Sequence, residues 1–163
     1  MIKKPLDKNR EANRMRDLCV RSEQCSHDIM NRLRKRGLTA ADAEQITATL
    51  ISEGFVDDLR YACAFVRDKY RFSGWGRHKI TSALYARHIP ASLIEKALKE
   101  IDVRQYAAIA MRVMRTRLRM MPADMDNTEI RQRLYRFGIT RGYESQLVTK
   151  IINSSALWAS HND

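Results

Sequence analysis

Cysteine is scarce in this chain: Cys19, Cys25 and Cys63 are the only three among 163 residues. The odd number and the lack of any Cys-x-x-Cys spacing exclude a disulfide framework and a closed zinc site. Reduced thiols in a cytoplasmic protein are the expectation. Long apolar runs are missing as well. No stretch approaches the roughly eighteen consecutive apolar residues of a membrane span. The opening segment, MIKKPLDKNREANRMRDLCV, contains no apolar core of a secretory leader. No segment alternates apolar and polar residues over a useful length, so strands are not expected.

Chemistry-bearing motifs are equally thin. There is no Walker A loop and no GxGxxG following a strand. The "GWG" at 74–76 reads as a loop between helices. The histidines His27, His78, His88 and His161 fall on different predicted elements. Cys25 and His27 are two residues apart, which on a helix turns them away from each other. No ligand set with metal spacing results. Asp57 and Asp58 could pass for a catalytic carboxylate pair, but they open an amphipathic stretch and read as helix caps. The reading is a protein without enzymatic activity, cofactor or metal.

What the chain does have is positive charge. The net charge is +11 and the isoelectric point about 10.0, which points to a polyanionic partner, nucleic acid or an acidic protein surface. The charge is spread: residues 1–53 carry a net +3, 54–101 a net +4 and 102–163 a net +4, so it is not held in a tail.

A repeat underlies that spread. IMNRLRKRGLTAADAEQITATL from Ile29, ITSALYARHIPASLIEKAL from Ile80 and IRQRLYRFGITRGYESQLVTKI from Ile130 align in register. Each has an isoleucine and a leucine four apart on one helical face: Ile29 and Leu33, Ile80 and Leu84, Ile130 and Leu134. A further apolar residue follows at Leu38, Ile89 and Ile139. Gly37 and Gly138 suit a left-handed C-cap, with His88 in that place in the middle copy. Thr39, Pro90 and Thr140 suit the start of the next helix.

A longer amphipathic stretch precedes each pair. One runs over roughly residues 8 to 24, a second is DDLRYACAFVRDKYR, and the third is DVRQYAAIAMRVMRTRLRMM. The chain is therefore expected to be all-α, with three tandem three-helix, helix-turn-helix-like repeats at 1–53, 54–101 and 102–163, the last including a C-terminal tail. Repeats of this kind share apolar contacts with their neighbours and build an elongated, curved array.

Arginine predominates among the cations, and it makes bidentate contacts to phosphates or carboxylates. Arg112, Arg115 and Arg119 fall at i, i+3 and i+7 and predict a cationic ridge opposite the apolar stripe of the third long helix. The short helices add Arg32, Arg34, Lys35 and Arg36; Arg77, Lys79 and Arg87; and Arg131, Arg133 and Arg136. Among the aromatics, most tyrosines sit at or beside apolar positions and read as core. Trp75, between two glycines, reads as the exposed one.

The stretch FVDDLRYACAFVRDKYRFSGWGRHKITSALYARHIPASLIEKAL resembles the central signature of the RecX family, bacterial modulators of the RecA recombinase. The matching residues are Phe55, Asp57, Asp58, Arg60, Tyr61, Ala62, Phe65, Val66, Arg67, Gly74, Gly76, Ile80, Leu84 and Ile89. Upstream, Glu23, Asp28, Ile29, Leu33 and Gly37 match the pattern of the family's first unit. Cys25 departs from the usual serine or threonine cap, leaving Ser26 as the candidate cap. Arg77 replaces a common proline, and His88 replaces a turn glycine. The resemblance implies a protein that docks into the groove of the RecA filament on DNA and inhibits its ATPase, strand-exchange and coprotease activities; a monomer is expected. Single-stranded DNA, and double-stranded DNA as a further ligand, would be its other partners, with no membrane involved. Two alternatives stay open: a helix-turn-helix DNA-binding protein, and a general single-stranded nucleic-acid binder.

Overall fold

The computed structural model describes residues 7–159. Among them are ten helices and no strand: α1 (Lys8–Arg21), α2 (Ser26–Lys35), α3 (Ala40–Ser52), α4 (Asp58–Arg71), α5 (Arg77–Tyr85), α6 (Ala91–Leu98), α7 (Val103–Arg119), α8 (Asn127–Thr140), α9 (Ser145–Ile152) and the single turn α10 (Ser155–Trp158). The first nine form three successive triplets, each a longer helix followed by a close pair. His161 lies outside the described residues.

The helix starts follow capping chemistry. Asp7 accepts from the backbone N–H of Asn9 and Arg10, Thr39 from that of Asp42, Asp102 from that of Gln105, and Asp126 from that of Thr128. The two aspartates at 57 and 58 divide the work. Asp57 caps its own helix through the N–H of Arg60 at 2.9 Å. Asp58 reaches back to α2, where it accepts from the N–H and the hydroxyl of Ser26 at 2.8 and 2.7 Å. Cys25 occupies the N-cap of α2 and makes no cap bond with its side chain. Ser26 is therefore not the substitute cap that the sequence suggested. The carboxylate of Asp58, 32 residues away, supplies the missing acceptor.

The left-handed turn recurs in all three triplets, although not where the alignment put it in the third. Gly37 has φ 99° and His88 φ 57°, and the following N–H bonds back to the helix in each: Leu38 to Leu33 O and Ile89 to Leu84 O, both at 3.2 Å. In the third triplet the left-handed residue is Gly142, at φ 88°, and Tyr143 N–H bonds to Gly138 O at 3.1 Å. Gly138 lies inside α8, one helical turn earlier. It is needed there for a different reason: a Cβ would come within 2.7 Å of Val148 Cγ2 and 3.3 Å of Met114 Sδ. Helix α8 thus continues one turn past the aligned register. Ile139 is left 41% exposed, and Tyr143, 1% exposed, takes the buried place that Leu38 and Ile89 hold in the other copies. Thr140 ends α8, and Glu144 precedes α9.

Contacts group the chain into two compact units, Met1–Ala64 with Leu84–Ala97, and Phe65–Ala83 with Leu98–Asp163. In the first, Met15, Ile29, Leu33, Leu38, Ala43, Ile46, Leu50 and Val56 form the core, with Phe55 and Leu18 packed against it. Each fully buried branched side chain there contributes about 1.5–3 kcal/mol. Glu11, only 2% exposed, is neutralised by Arg14 at 2.7 Å and by Arg36. His27 and His88 stack with centroids 4.2 Å apart, and Asp28 pairs with Arg87 at 3.5 Å.

In the second unit the "GWG" loop is more than punctuation. Gly76 N–H donates to Arg141 O at 2.8 Å and His78 N–H to Gly142 O at 3.0 Å, so the loop lies backbone against backbone on the α8–α9 turn. A Cβ on Gly76 would sit 2.1 Å from the carbonyl carbon and oxygen of Gly142. Around this approach, Tyr143 Oη donates to Gly74 O at 2.8 Å, and Arg141 donates to Ser73 O. The Tyr70, Tyr106 and Tyr143 rings meet at centroid distances of 6.4 and 5.6 Å. Burial pushes the Tyr143 phenol up to about 12.

Replacing Gly76 with alanine should cost about 3 kcal/mol or more, because backbone atoms have to separate to admit the methyl group. Gly54→Ala, at φ 78° with nothing within 4 Å of the new Cβ, should cost only about 1–2 kcal/mol of backbone strain. Urea unfolding of the two variants checks this ordering; equal losses would contradict the close approach.

Candidate functional site

The cations of the sequence separate into two groups once their neighbours are known. The first is engaged inside the fold. Arg36 belongs to the Glu11 cluster, and Arg87 faces Asp28. Arg77 donates to Glu144 Oε1 at 2.7 Å and lies over the Tyr106 ring at 4.3 Å. Lys79 sits over Trp75 at 4.6 Å. Arg115 is half-buried and donates to Ala156 O of α10 at 2.9 Å, which takes it out of the ridge expected along α7. Arg131 donates to Ile152 O and Asn153 Oδ1 and covers the Trp158 ring at 4.9 Å. Arg133 pairs with Glu129 one turn away at 2.6 Å.

The second group is exposed and forms no ion pair among the described residues. In the first unit it includes Arg32, Arg34 and Lys35, all on α2. In the second it includes Arg112 and Arg119 on α7 and Arg136 on α8. Their charges are available to a partner, whereas the first group acts mainly to hold elements together.

Sequence reasoning named the wrong aromatic. Trp75 is half-buried, flanked by Lys69 at 5.2 Å and Lys79 at 4.6 Å, with the edge of Phe65 at 6.2 Å. The most exposed ring among the described residues is Phe72, at 83%. The signal was available: the buried stripe of α4 runs through Ala62, Val66 and Tyr70, and Phe72 falls two residues off it, on the opposite side. Tyr70, Tyr106 and Tyr143 are core, as read, while Tyr85 and Tyr135 are 53% and 40% exposed.

Two cavities open beside Phe72 and along α7. One, of about 590 Å³, is lined by Arg71, Phe72, Gln105, Ile109 and Arg112. The other, of about 320 Å³, is lined by Arg112, Thr116, Arg117, Met120, Phe137 and Arg141. Neither has a carboxylate in its lining, so both are cationic. Among the described residues no group of three His, Cys, Asp or Glu side chains could hold a metal ion, and no helix is long and apolar enough to cross a membrane.

Residues 57–98, which are α4 to α6, match the family model of the second three-helix domain of RecX. Regulatory protein RecX of Prosthecochloris aestuarii is 25% identical over 132 residues, 80% of this chain and 83% of that protein. Over most of its length the chain is similar to RecX proteins. A crystal structure of regulatory protein RecX superposes with a TM-score of 0.77 at 22% identity, covering 90% of this chain and 72% of that one. That of RecX from Lactobacillus salivarius gives 0.75 at 16% identity, covering 89% and 94%. At these identities the likeness is one of fold.

The residues that carry the RecX signature here have structural tasks. Asp57 and Asp58 are caps, and Ala62 and Val66 are fully buried. Arg60 binds Glu23 at 2.6 Å and the carbonyls of Gly54 and Phe55 at 3.1 and 3.2 Å. The signature identifies the scaffold, and the exposed cations lie outside it.

Glu144 shows how an internal arginine matters. Burial alone would raise its carboxyl, but hydrogen bonds from Arg77 and from Tyr106 Oη, both at 2.7 Å, outweigh this and hold it below the usual range. A carboxylate depressed in the folded state adds stability above its unfolded pKa, and that stability is lost as pH falls through the folded value. Glu144→Gln should therefore lose about 1–2 kcal/mol at pH 7, with the gap to the parent chain closing below about pH 4. Urea unfolding across that pH range reads it out; a gap independent of pH would contradict it.

Proposed function

We propose that this chain is a non-enzymatic negative regulator of the RecA recombinase. On this reading it acts as a monomer in the cytoplasm, binds the groove of the RecA–DNA filament and suppresses ATP hydrolysis, strand exchange and coprotease activity. Similarity to proteins named regulatory protein RecX supports a regulatory role. The observation that carries the filament reading is the placement of unpaired cations at separate points along the chain. Arg32 and Lys35 stand in one compact unit and Arg112 and Arg119 in the other. A single small ligand needs one cluster. A filament repeats its phosphates and acidic surface, and can engage several clusters at once, with the gain in avidity that linked contacts bring. The three-repeat division at 1–53, 54–101 and 102–163 belongs to this reading, with the unpaired cations named above falling in the first and third repeats.

A general single-stranded nucleic-acid binder is the second reading, favoured by the exposed Phe72 beside arginine-lined cavities. The two readings part on what RecA adds.

Co-sedimentation with RecA assembled on single-stranded DNA, compared with the same DNA alone, tests them. Capture should be stronger on the filament. The paired reversals R32E/K35E and R112E/R119E should each weaken it about tenfold or more without lowering the melting temperature. Equal capture with and without RecA would favour the second reading. Undiminished capture of both double variants would contradict the first.

A further inference from the structure

Phe72 is 83% exposed directly after the last residue of α4. A single exposed apolar side chain needs no explanation by itself. This one does because of what surrounds it. Arg71 donates Nε to Tyr70 Oη at 2.9 Å, and Tyr70 Oη donates in turn to Gln105 Oε1 at 3.0 Å. That chain anchors one edge of the Arg71 guanidinium to a fully buried tyrosine, leaving its terminal amino groups without a hydrogen-bond partner among the described residues. Gln105 keeps its amide N–H groups as donors. Across the cavity, the guanidinium of Arg112 makes no ion pair or hydrogen bond among the described residues, and the same arginine borders the second cavity, with Thr116 and Arg117. The strip from Gln105 to Met120 is about 22 Å long at helical rise, and no carboxylate lines either cavity.

We propose that this strip is a site for single-stranded nucleic acid, with one base stacked on Phe72 and the flanking phosphates held by Arg71 and Arg112. A flat ring that protrudes beside a cavity lined by two arginines matches an unstacked base with its neighbouring phosphates. Duplex DNA presents phosphates but keeps its bases stacked on each other, so it leaves the ring unused. An acidic peptide would meet the arginines, but its carboxylate side chains offer no flat apolar face to the exposed ring. The length of the strip suits a few nucleotides, with Arg117 as a further phosphate contact. The site rests on the filament reading only in supplying a reason for the strand to be there; its own claim is the stacking.

The test uses the full-length chain and fluorescence anisotropy with three probes: labelled oligothymidine, an abasic strand of the same length, and a blunt duplex. Inhibition of RecA ATP hydrolysis is measured in parallel. Phe72→Ala should weaken oligothymidine binding about tenfold, Phe72→Tyr should retain it, and neither should alter binding of the abasic strand or the duplex. Arg112→Ala should weaken all three and lower the salt slope on the strand by about 0.7. Unchanged melting temperatures keep the comparison valid, as expected for exposed side chains. Oligothymidine binding of Phe72→Ala within twofold of the parent overturns the site. So does an equal loss on the abasic strand, and so does lost RecA inhibition with intact strand binding, which would make Phe72 a protein contact. Absence of RecA inhibition by the parent chain would sink the filament reading alone and leave the stacking result standing.

Discussion

In the second unit two stretches of backbone come into direct contact, the loop at Gly76 and the turn at Gly142. Much of the local structure follows from it. Because no side chain separates them, two direct hydrogen bonds form, Gly76 to Arg141 and His78 to Gly142. The residues on either side are then fixed by what the approach leaves uncovered. Tyr143 and Arg141 satisfy the carbonyls of Gly74 and Ser73, and Arg77 and Tyr106 converge on Glu144. The longer α8 makes the arrangement possible, since the added turn brings Gly142 to the end of the helix.

The same economy of pairing explains how a chain with net charge +11 folds. Self-repulsion of like charges opposes compaction. Here it is reduced by placing arginines against carboxylates, carbonyls and rings: Arg36 on Glu11, Arg60 on Glu23, Arg77 on Glu144, Arg117 over Phe137. Arginine suits these places because its flat guanidinium can bond along an edge and stack on a face together. What remains outside the fold includes cations on α2, α7 and α8 with no internal ion pair. A count of basic residues does not distinguish the two sets, and their functional meanings differ. Loss of an internal arginine should register first in stability, and loss of an external one in binding.

The helical triplets and their capping were legible in the sequence because they depend on local patterns: apolar residues four apart, aspartate or threonine before a helix, glycine after one. The all-α fold and the RecX resemblance rest on those patterns. The third turn was not legible, because Gly138 and Gly142 stand one helical turn apart and either could end a helix. The choice is made by packing: Val148 and Met114 crowd Gly138, while Lys79 and the Gly76 loop crowd Gly142. The cap of α2 was hidden for a similar reason, since its acceptor comes from Asp58, far along the chain. Spacing along α7 put Arg112, Arg115 and Arg119 on one line, but could not foresee that α10 would take Arg115 through the carbonyl of Ala156. Trp75 is less exposed than its glycine neighbours suggest because two lysines fold over it, a contact that sequence neighbourhood alone does not dictate.

The central claim is that this chain acts on RecA assembled on DNA and does so through dispersed contacts. Its most direct test is the rate of RecA-catalysed ATP hydrolysis on single-stranded DNA, titrated with the full chain. The account predicts inhibition well below one molecule per recombinase subunit, as expected for a regulator acting on an assembled filament. Hydrolysis that continues unchanged at a molar excess of the chain, under conditions where the chain is folded, would contradict it.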